Sequence, residues 1–280
     1  MKTILIVLAG IADLPDAMTM RDTPLSTAAI PSLHLLAQRG ELSVARNLDD
    51  NDSFTYPNAL LSLLGYDLQR GEPLIEELRE FGLANNVPIT EFGSLRPFII
   101  PGFSGHGVCL TTSAWARGAA KCAMIPPLDI YSPGSSDAEI LETIAEMAQK
   151  AIVDNEFVLI YVDSALKASL KGDYDAKVAA LESIDRHLIN PIADFVWKSD
   201  LLIHLAVATD IATSWNRRRP VNISVPVLTY FNNHDREGNP EETFTEVNAM
   251  LHEHLFEQPK DLIRYLIYFS YSEEDLELPF

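Results

Sequence analysis

Three ionisable side chains follow apolar runs that read as buried strands. Asp163 and Lys167 come directly after the run 157–162, and Asp210 comes just after the run 201–207. Ligands of open parallel sheets bind beyond the carboxyl ends of the strands, where a carboxylate and an ammonium group can exchange protons. These three residues are therefore candidates for an acid/base group, and ordinary salt bridging between them is the alternative interpretation.

A run of three arginines, Arg217 to Arg219, forms a local basic patch on a strongly acidic chain of formal net charge -19. Guanidinium groups bind phosphate and carboxylate through paired hydrogen bonds, so the run predicts an anion site at Arg217 and Arg218. Solvated surface or local ion pairs are the alternative. The overall negative charge disfavours nucleic acid and anionic membrane as partners.

The cysteines and histidines show no metal-binding pattern. Cys109 and Cys122 lack the CxxC spacing of a metal or redox site, and we interpret them as reduced core thiols. His204 lies inside a predicted strand and is expected to be a core residue. His106, next to a strand in a glycine-rich loop, is the histidine with the strongest case for a functional role, because the others lack ligand spacing.

Apolar runs alternate with helical patterns along the chain, which predicts an α/β fold with a mostly parallel central sheet and helices on both faces. Pro226 indicates that the last predicted strand begins there or lies at a sheet edge. The predicted strands are Ile4–Leu8, Val108–Thr111, Phe157–Val162, Leu201–Val207 and Val225–Tyr230.

Two helices are clearly patterned. Ser136 and Glu139 have the spacing of a capping box, and a buried stripe follows it. The apolar face of the second helix ends near Pro191, which should kink or terminate it. The predicted stripes are Ile140, Ile144, Met147 and Ala151 in the first helix, and Val178, Leu181, Ile184 and Leu188 in the second.

The first apolar run resembles the core of a secretory signal, but it is short and a turn with Asp13 and Pro15 follows it. A buried parallel strand explains it better. No run approaches the roughly 18 apolar residues of a spanning helix. We therefore predict a cytoplasmic protein with one domain over residues 1–280.

Several short segments, taken in order, resemble the archaeal-type cofactor-independent phosphoglycerate mutases of the alkaline phosphatase superfamily. They are 9–13, 23–25, 30–33, 36–40, 62–67, 70–71, 115–118, 172–173 and 225–226. The resemblance implies an alkaline phosphatase-like fold and phosphoryl transfer through a serine nucleophile and two divalent metals. It also implies a cap domain after residue 71, in whose place this chain has only the short segment 72–106. Arg117 matches the arginine of the family's Arg-Gly pair. It is a candidate second cation for the anion site predicted at Arg217 and Arg218.

The resemblance also identifies where the family's functional residues should stand, and most of those positions hold side chains that cannot ligate a metal. Asp210 is the one match. The substituted positions are Ala9 for a metal-binding aspartate, Tyr56 for the serine nucleophile, Leu166 and Leu170 for an aspartate and a histidine, and Ile211 and Pro220 for two histidines. Because aliphatic side chains remove the coordination shell, the family's mechanism is not expected here.

Two classes of function follow. In the first, which we favour, the protein is a noncatalytic relative with no cofactor, its old site filled by apolar side chains such as Leu166, Leu170 and Ile211. It would bind a phosphorylated small molecule or a protein partner. In the second, it is a phosphoryl-transfer enzyme, either a mutase or a phosphatase, or a metal-free enzyme that uses a rearranged site.

Overall fold

The computed structural model describes residues 1–15, 22–46, 56–65, 106–123, 125–130, 133–233, 238–252, 255–257 and 259–268. The predicted cap remnant, 72–106, lies outside these residues except for His106. The prediction that the whole chain forms one domain therefore stays a prediction.

In the described residues, seven strands form one central sheet in the order β3-β4-β1-β5-β8-β2-β9, and β6 and β7 form a separate two-stranded hairpin. All five predicted strands are present, with bounds that differ by up to two residues. The strands are β1 (Lys2–Leu8), β2 (Glu41–Ala45), β3 (Gly107–Leu110), β4 (Phe157–Val162), β5 (Ile203–Ala208), β6 (Thr213–Ser214), β7 (Arg219–Pro220), β8 (Val225–Phe231) and β9 (Leu255–Phe256).

Strands β3, β4, β1 and β5 run parallel, and so do β2 and β9, whereas β8 is antiparallel to both of its neighbours. The predicted mostly parallel sheet is confirmed. Strand β8 is an interior strand, so the edge interpretation of Pro226 is wrong. Pro226 is the second residue of β8 and pairs with Val44 only, while β5 pairs with β8 from Val227 onward. The proline therefore lies where a missing ladder donor is tolerated.

Helices cover both faces of the sheet. In the described part of the chain they are α1 (Pro24–Thr27), α2 (Pro31–Arg39), α3 (Tyr56–Leu63), α4 (Ala114–Cys122), α5 (Asp137–Asp154), α6 (Ser164–Lys171), α7 (Tyr174–Ile184), α8 (Asn190–Lys198), α9 (Glu246–Ala249) and α10 (Pro259–Tyr268). A π-helical turn, Asp185–Ile189, joins α7 to α8.

The alternation of side chains along β1 divides the core into two layers. Ile4, Ile6 and Leu8 pack with the buried residues of α2, α5, α7 and α8, whereas Leu5 and Val7 pack with those of α3, α4 and α10. Both faces of this strand are fully buried, which explains why it reads as a continuous apolar run instead of an alternating one.

Helix α5 begins with the predicted capping box. The backbone N–H of Ser136 donates to Glu139 Oε2 at 2.7 Å, and the N–H of Glu139 donates to Ser136 Oγ. The most deeply buried stripe lies one residue further along than predicted, on Leu141, Ile144, Ala145, Ala148 and Ile152. The predicted Ile140, Met147 and Ala151 flank it and are half-buried.

The second helix does not end at Pro191. Helix α7 ends at Ile184, the π turn follows with helical backbone, and α8 begins at Asn190 with this proline in its first turn. The intervening π turn places Asp185 against the start of α2. Its carboxylate accepts hydrogen bonds from the backbone N–H of Ser32 at 3.1 Å and of Leu33 at 2.8 Å.

Two predicted core residues are buried as expected. Cys109 lies on β3 with a free thiol whose burial raises its pKa to about 12. His204 lies on β5 between the rings of Phe231 and Tyr265, and burial lowers its pKa to about 4. Among the described helices, none is both long and apolar enough to cross a membrane.

Candidate functional site

Asp210 lies at the carboxyl edge of the sheet and accepts hydrogen bonds from backbone and side-chain donors. Oδ1 accepts from the N–H of Gly10 at 3.0 Å and of Ile211 at 2.7 Å, and Oδ2 accepts from the Tyr161 hydroxyl at 2.9 Å. The side chain is fully buried. Burial raises the pKa of Asp210 to about 6, and these hydrogen bonds oppose the rise.

Gly10 makes this arrangement possible because its backbone is left-handed, with φ of 64°. A Cβ at this position would lie 2.9 Å from Thr213 Oγ1 and 3.2 Å from Leu166 Cδ1. The chain can therefore turn sharply after β1 and direct an N–H group at Asp210 only where no side chain intervenes.

Two tyrosines flank Asp210. Tyr161 is fully buried, its ring packs edge-on against Trp115 at 4.8 Å, and its pKa is raised by burial and by Asp210. Tyr56, at the position expected for the nucleophile, packs with Ala59 and Ile211. Burial raises the pKa of Tyr56 to about 12, so its phenol is neutral at physiological pH.

The positions at which the family resemblance predicts metal ligands differ in how deeply they are buried. Ala9, Leu166 and Ile211 are buried. Leu170 is 43 % exposed, so the prediction that it fills the old site is wrong. It lies on the outer side of the last turn of α6. Pro220 lies on β7 and is half-buried.

The residues at these positions do not fit a pair of divalent metals. Zinc and similar ions take several nitrogen, sulfur or carboxylate ligands, whereas the matched positions offer aliphatic side chains and one carboxylate that already accepts three hydrogen bonds. No group of three or more histidine, cysteine or acidic side chains suited to a metal occurs among the residues that the structure describes.

Three more of the predicted polar residues, Asp163, Lys167 and Arg117, already have partners. Asp163 pairs with Lys167 at 2.8 Å, and β1 lies between the strands that Asp163 and Asp210 follow. Asp163 and Lys167 therefore do not lie at a strand end adjacent to that of Asp210. Arg117 donates to the carbonyl of Leu128 at 2.9 Å and to Asp129 Oδ1 at 2.7 Å.

The arginine run lies on the β6–β7 hairpin, which we call the basic hairpin (residues 213–220). Arg217, Arg218 and Arg219 are all exposed. Arg218 has a left-handed backbone, with φ of 53°, and its guanidinium lies over Gly172, the left-handed residue that ends α6.

A buried ionic cluster that we did not predict lies beneath this hairpin. Lys177 Nζ donates to Asp13 Oδ2 and to the carbonyl of Thr213, both at 2.9 Å. Glu246 accepts from the N–H of Asp13 at 3.0 Å and from the Thr23 hydroxyl at 2.8 Å. The side chains of Asp13 and Lys177 are completely buried, and burial lowers the pKa of Lys177 and raises that of Glu246.

A sequence signal for part of this cluster exists. Lys177 lies four residues before Leu181 and seven before Ile184, so it occupies the buried stripe of α7, where Val178 was predicted. A lysine at a core position of a helix requires a partner carboxylate. Asp13 lies 164 residues before Lys177, so spacing in the sequence could not identify it as the partner of this lysine.

Comparison with known proteins supports the resemblance noted above. No family model matches the chain. Two curated proteins named 2,3-bisphosphoglycerate-independent phosphoglycerate mutase do match it. The protein from Methanococcus aeolicus is 27 % identical over 51 % of this chain, and that from Aeropyrum pernix is 22 % identical over 45 %. The matches cover 36 % and 30 % of those proteins, so the alignments span about a third of the relatives' length.

Solved structures share the fold along nearly the whole chain. The PH0037 protein from Pyrococcus horikoshii matches with a TM-score of 0.73 and 19 % identity, covering 97 % of this chain and 98 % of its own. The cofactor-independent phosphoglycerate mutase from Thermoplasma acidophilum has a TM-score of 0.62, 13 % identity and coverages of 94 % and 98 %. The alkaline phosphatase from the Antarctic bacterium TAB5 has a TM-score of 0.57, 9 % identity and coverages of 97 % and 98 %.

These structures contradict the prediction that no cofactor is involved. The fold is shared with an alkaline phosphatase and with a phosphoglycerate mutase, so the absence of a cofactor does not follow from the fold. We withdraw that prediction, and the metal content of this chain has to be measured. Taken together, the topology and the comparisons give this chain an alkaline phosphatase-like α/β fold and a sequence resemblance to the cofactor-independent phosphoglycerate mutases.

Proposed function

We propose that this protein is a noncatalytic relative of the phosphoglycerate mutases, acting by binding a phosphorylated molecule and not by transferring its phosphoryl group. The observation that carries the proposal is the environment of Asp210. Its carboxylate accepts two backbone N–H bonds and one tyrosine hydroxyl bond in a fully buried position.

These bonds give Asp210 a structural role. A carboxylate that ligates a metal or transfers a proton needs a free oxygen lone pair directed at the reacting group. Here protein donors occupy three of the roughly four lone-pair sites, two on Oδ1 and one on Oδ2, and the bonds join the loops after β1 and β5 to strand β4. Freeing the carboxylate would leave buried donors unsatisfied, at a cost of roughly 1–3 kcal/mol for each donor.

Tyr56 supports the same conclusion from the nucleophile position. A phenol with a pKa of about 12 holds its proton at neutral pH, and a neutral phenol is a weak nucleophile. Asp163 and Lys167, the remaining candidates for acid/base work, already form an ion pair with each other.

Activity assays over defined metal states test the proposal. Isomerisation of 3-phosphoglycerate and hydrolysis of p-nitrophenyl phosphate would be measured on protein as purified, after chelation, and after addition of Mg²⁺, Mn²⁺ or Zn²⁺, with elemental analysis of each sample. We expect no turnover above the buffer rate in any state. An active cofactor-independent phosphoglycerate mutase is the positive control.

The Asp210→Asn variant separates trace contamination from intrinsic activity. If turnover is detected and is unchanged in Asp210→Asn, it comes from a contaminating enzyme or from another site. If turnover falls at least tenfold in this variant, Asp210 takes part in a reaction and the noncatalytic assignment is wrong.

A further inference from the structure

The basic hairpin is anchored from below by buried polar bonds. The N–H of Trp215 donates to Asp13 Oδ2 at 3.0 Å, and the same oxygen accepts from Lys177, which also donates to the carbonyl of Thr213. The first strand of the hairpin is thereby fixed to α7 and to the loop after β1. These buried bonds fix the position of the hairpin relative to the sheet, and with it the backbone of the exposed arginines.

Arg218 is held by its own backbone and by Gly172. A non-glycine residue with positive φ is uncommon, and Arg218 is the one such residue in the described chain. Its guanidinium lies so close over Gly172 that a Cβ there would overlap Nε and approach Cζ to 3.0 Å. The missing side chain at residue 172 therefore creates the space in which the guanidinium rests.

The guanidinium groups of this hairpin donate no hydrogen bond to any residue that the structure describes. Across the described residues, neither Arg217, Arg218 nor Arg219 has a side-chain hydrogen bond or an ion pair. Arg117, by contrast, donates hydrogen bonds from its guanidinium to the carbonyl of Leu128 and to the carboxylate of Asp129. An arginine that is positioned by the fold and makes no hydrogen bond is pre-organised for a ligand.

We propose that the basic hairpin binds a phosphomonoester dianion, with Arg218 forming paired hydrogen bonds to its oxygens and Arg217 and Arg219 contributing charge. This inference names the site and ligand class for the binding role proposed above and rests on it. Arginine matches the phosphate geometry through its planar fork. The chain as a whole, at net charge -19, repels anions, so a local cluster of three arginines stands out as a place that attracts them.

Two probes test the site and identify the source of the phosphate. Inorganic phosphate represents a small molecule, and a short phosphoserine peptide represents a protein partner, with the unphosphorylated peptide as its blank. Binding would be followed through the Arg Nε–H signals in ¹H–¹⁵N NMR spectra and by calorimetry at physiological ionic strength. We expect the Arg218 signal to shift with at least one phosphorylated probe and with no unphosphorylated peptide.

Three variants distinguish a positioned guanidinium from general attraction. Arg218→Ala removes the guanidinium group. Arg218→Lys keeps the positive charge but not the paired N–H donors. Gly172→Ala keeps Arg218 but fills the space in which its guanidinium lies. Loss of charge-assisted hydrogen bonds should weaken binding by about tenfold or more in each variant. Arg186→Gln, which removes an exposed arginine from the π turn, is the matched control and should change affinity less than about twofold.

The proposal is overturned if neither phosphorylated probe binds, or if Arg218→Lys binds as tightly as the wild type. Because Gly172→Ala places alanine at a left-handed position and can lower stability, Arg218→Lys decides the matter if that variant does not fold. The mutase assay on the same samples keeps the two proposals apart. Turnover with intact Arg218-dependent binding refutes the noncatalytic function alone, whereas absent turnover with no binding refutes the hairpin site alone.

Discussion

The Tyr161 hydroxyl donates a hydrogen bond to Asp210 Oδ2 across 2.9 Å, and both side chains are buried. Tyr161 lies near the end of β4 and Asp210 follows β5, so the bond passes over the end of β1, which separates those strands. It therefore ties the loop after β5 to strand β4 at the carboxyl edge of the sheet.

The titration of Asp210 should make stability depend on pH. Its pKa is raised from 3.8 to about 6 by burial, so the folded protein holds this proton more tightly than the unfolded chain. Its contribution to stability is therefore fully present below about pH 3.8 and is lost as the pH rises through about 6. The Asp210→Asn variant does not titrate. Relative to wild type, its free energy of unfolding should increase by about 2–3 kcal/mol between pH 4 and 7, measured by urea unfolding.

Asp194→Asn provides the matched control, because Asp194 is half-exposed and pairs with Lys198 on the surface of α8. Its free energy of unfolding should follow the wild-type pH dependence. Parallel curves for Asp210→Asn and wild type would contradict the raised pKa of Asp210.

Tyr161→Phe should raise the pKa of Asp210 further, because the phenol hydrogen bond favours the charged carboxylate. Carboxyl ¹³C chemical shifts followed against pH measure this directly. Tyr265→Phe, which removes a hydroxyl bonded to Glu41 at 3.1 Å, should leave the titration of Asp210 unchanged. An unaltered or lowered pKa in Tyr161→Phe would show that the hydroxyl does not stabilise the carboxylate.

Lys177→Met should destabilise the fold by about 3–5 kcal/mol, since it leaves Asp13 with an uncompensated charge in a fully buried place. Lys198→Met removes an exposed partner of Asp194 and should cost less than about 0.5 kcal/mol. Chemical unfolding of both variants provides the measurement. Adding Asp13→Asn to Lys177→Met should recover part of the loss, and failure to do so would argue against charge burial as the cause.

Asp185→Ala should release the start of α2. The N-cap residue of this helix, Ile30, has no side-chain oxygen, so Asp185 supplies the acceptor from the π turn. Losing such a cap costs about 1–2 kcal/mol. Hydrogen exchange of the Ser32 and Leu33 amides should accelerate in Asp185→Ala and less in Asp185→Asn, which keeps one oxygen. Equal protection in all three proteins would rule out the capping role.

The sequence was sufficient to predict the fold because the parallel strands are buried on both faces and therefore appear as uninterrupted apolar runs. Strand β2 was not predicted, since its five residues begin with Glu41 and lack that pattern. Strand β9 is only two residues long and carries no periodicity of its own.

The contacts of the site could not be predicted from single positions. The resemblance to the family names Ala9, Leu166 and Ile211 as site positions, and the structure shows that all three are buried. The partners of Asp210 cannot, because Gly10 and Tyr161 come from distant parts of the chain and are brought together by the strand order. Leu170 was misplaced for a related reason. Its position in the family pattern predicted a side chain directed into the site, whereas the last turn of α6 directs Leu170 to solvent.

The π turn between α7 and α8 adds one residue per turn locally, and this has a consequence for deletions. Each residue of a regular helix rotates the chain by about 100°, so removing one residue from 186–189 would turn α8 by that angle relative to α7. Lys177 and Leu181 would keep their orientation toward the core only if Ile192 and Val196 rotated away from it. A shorter linker here would thus set the buried faces of α7 and α8 out of phase, and Pro191 would still lack an N–H group to donate within the helix.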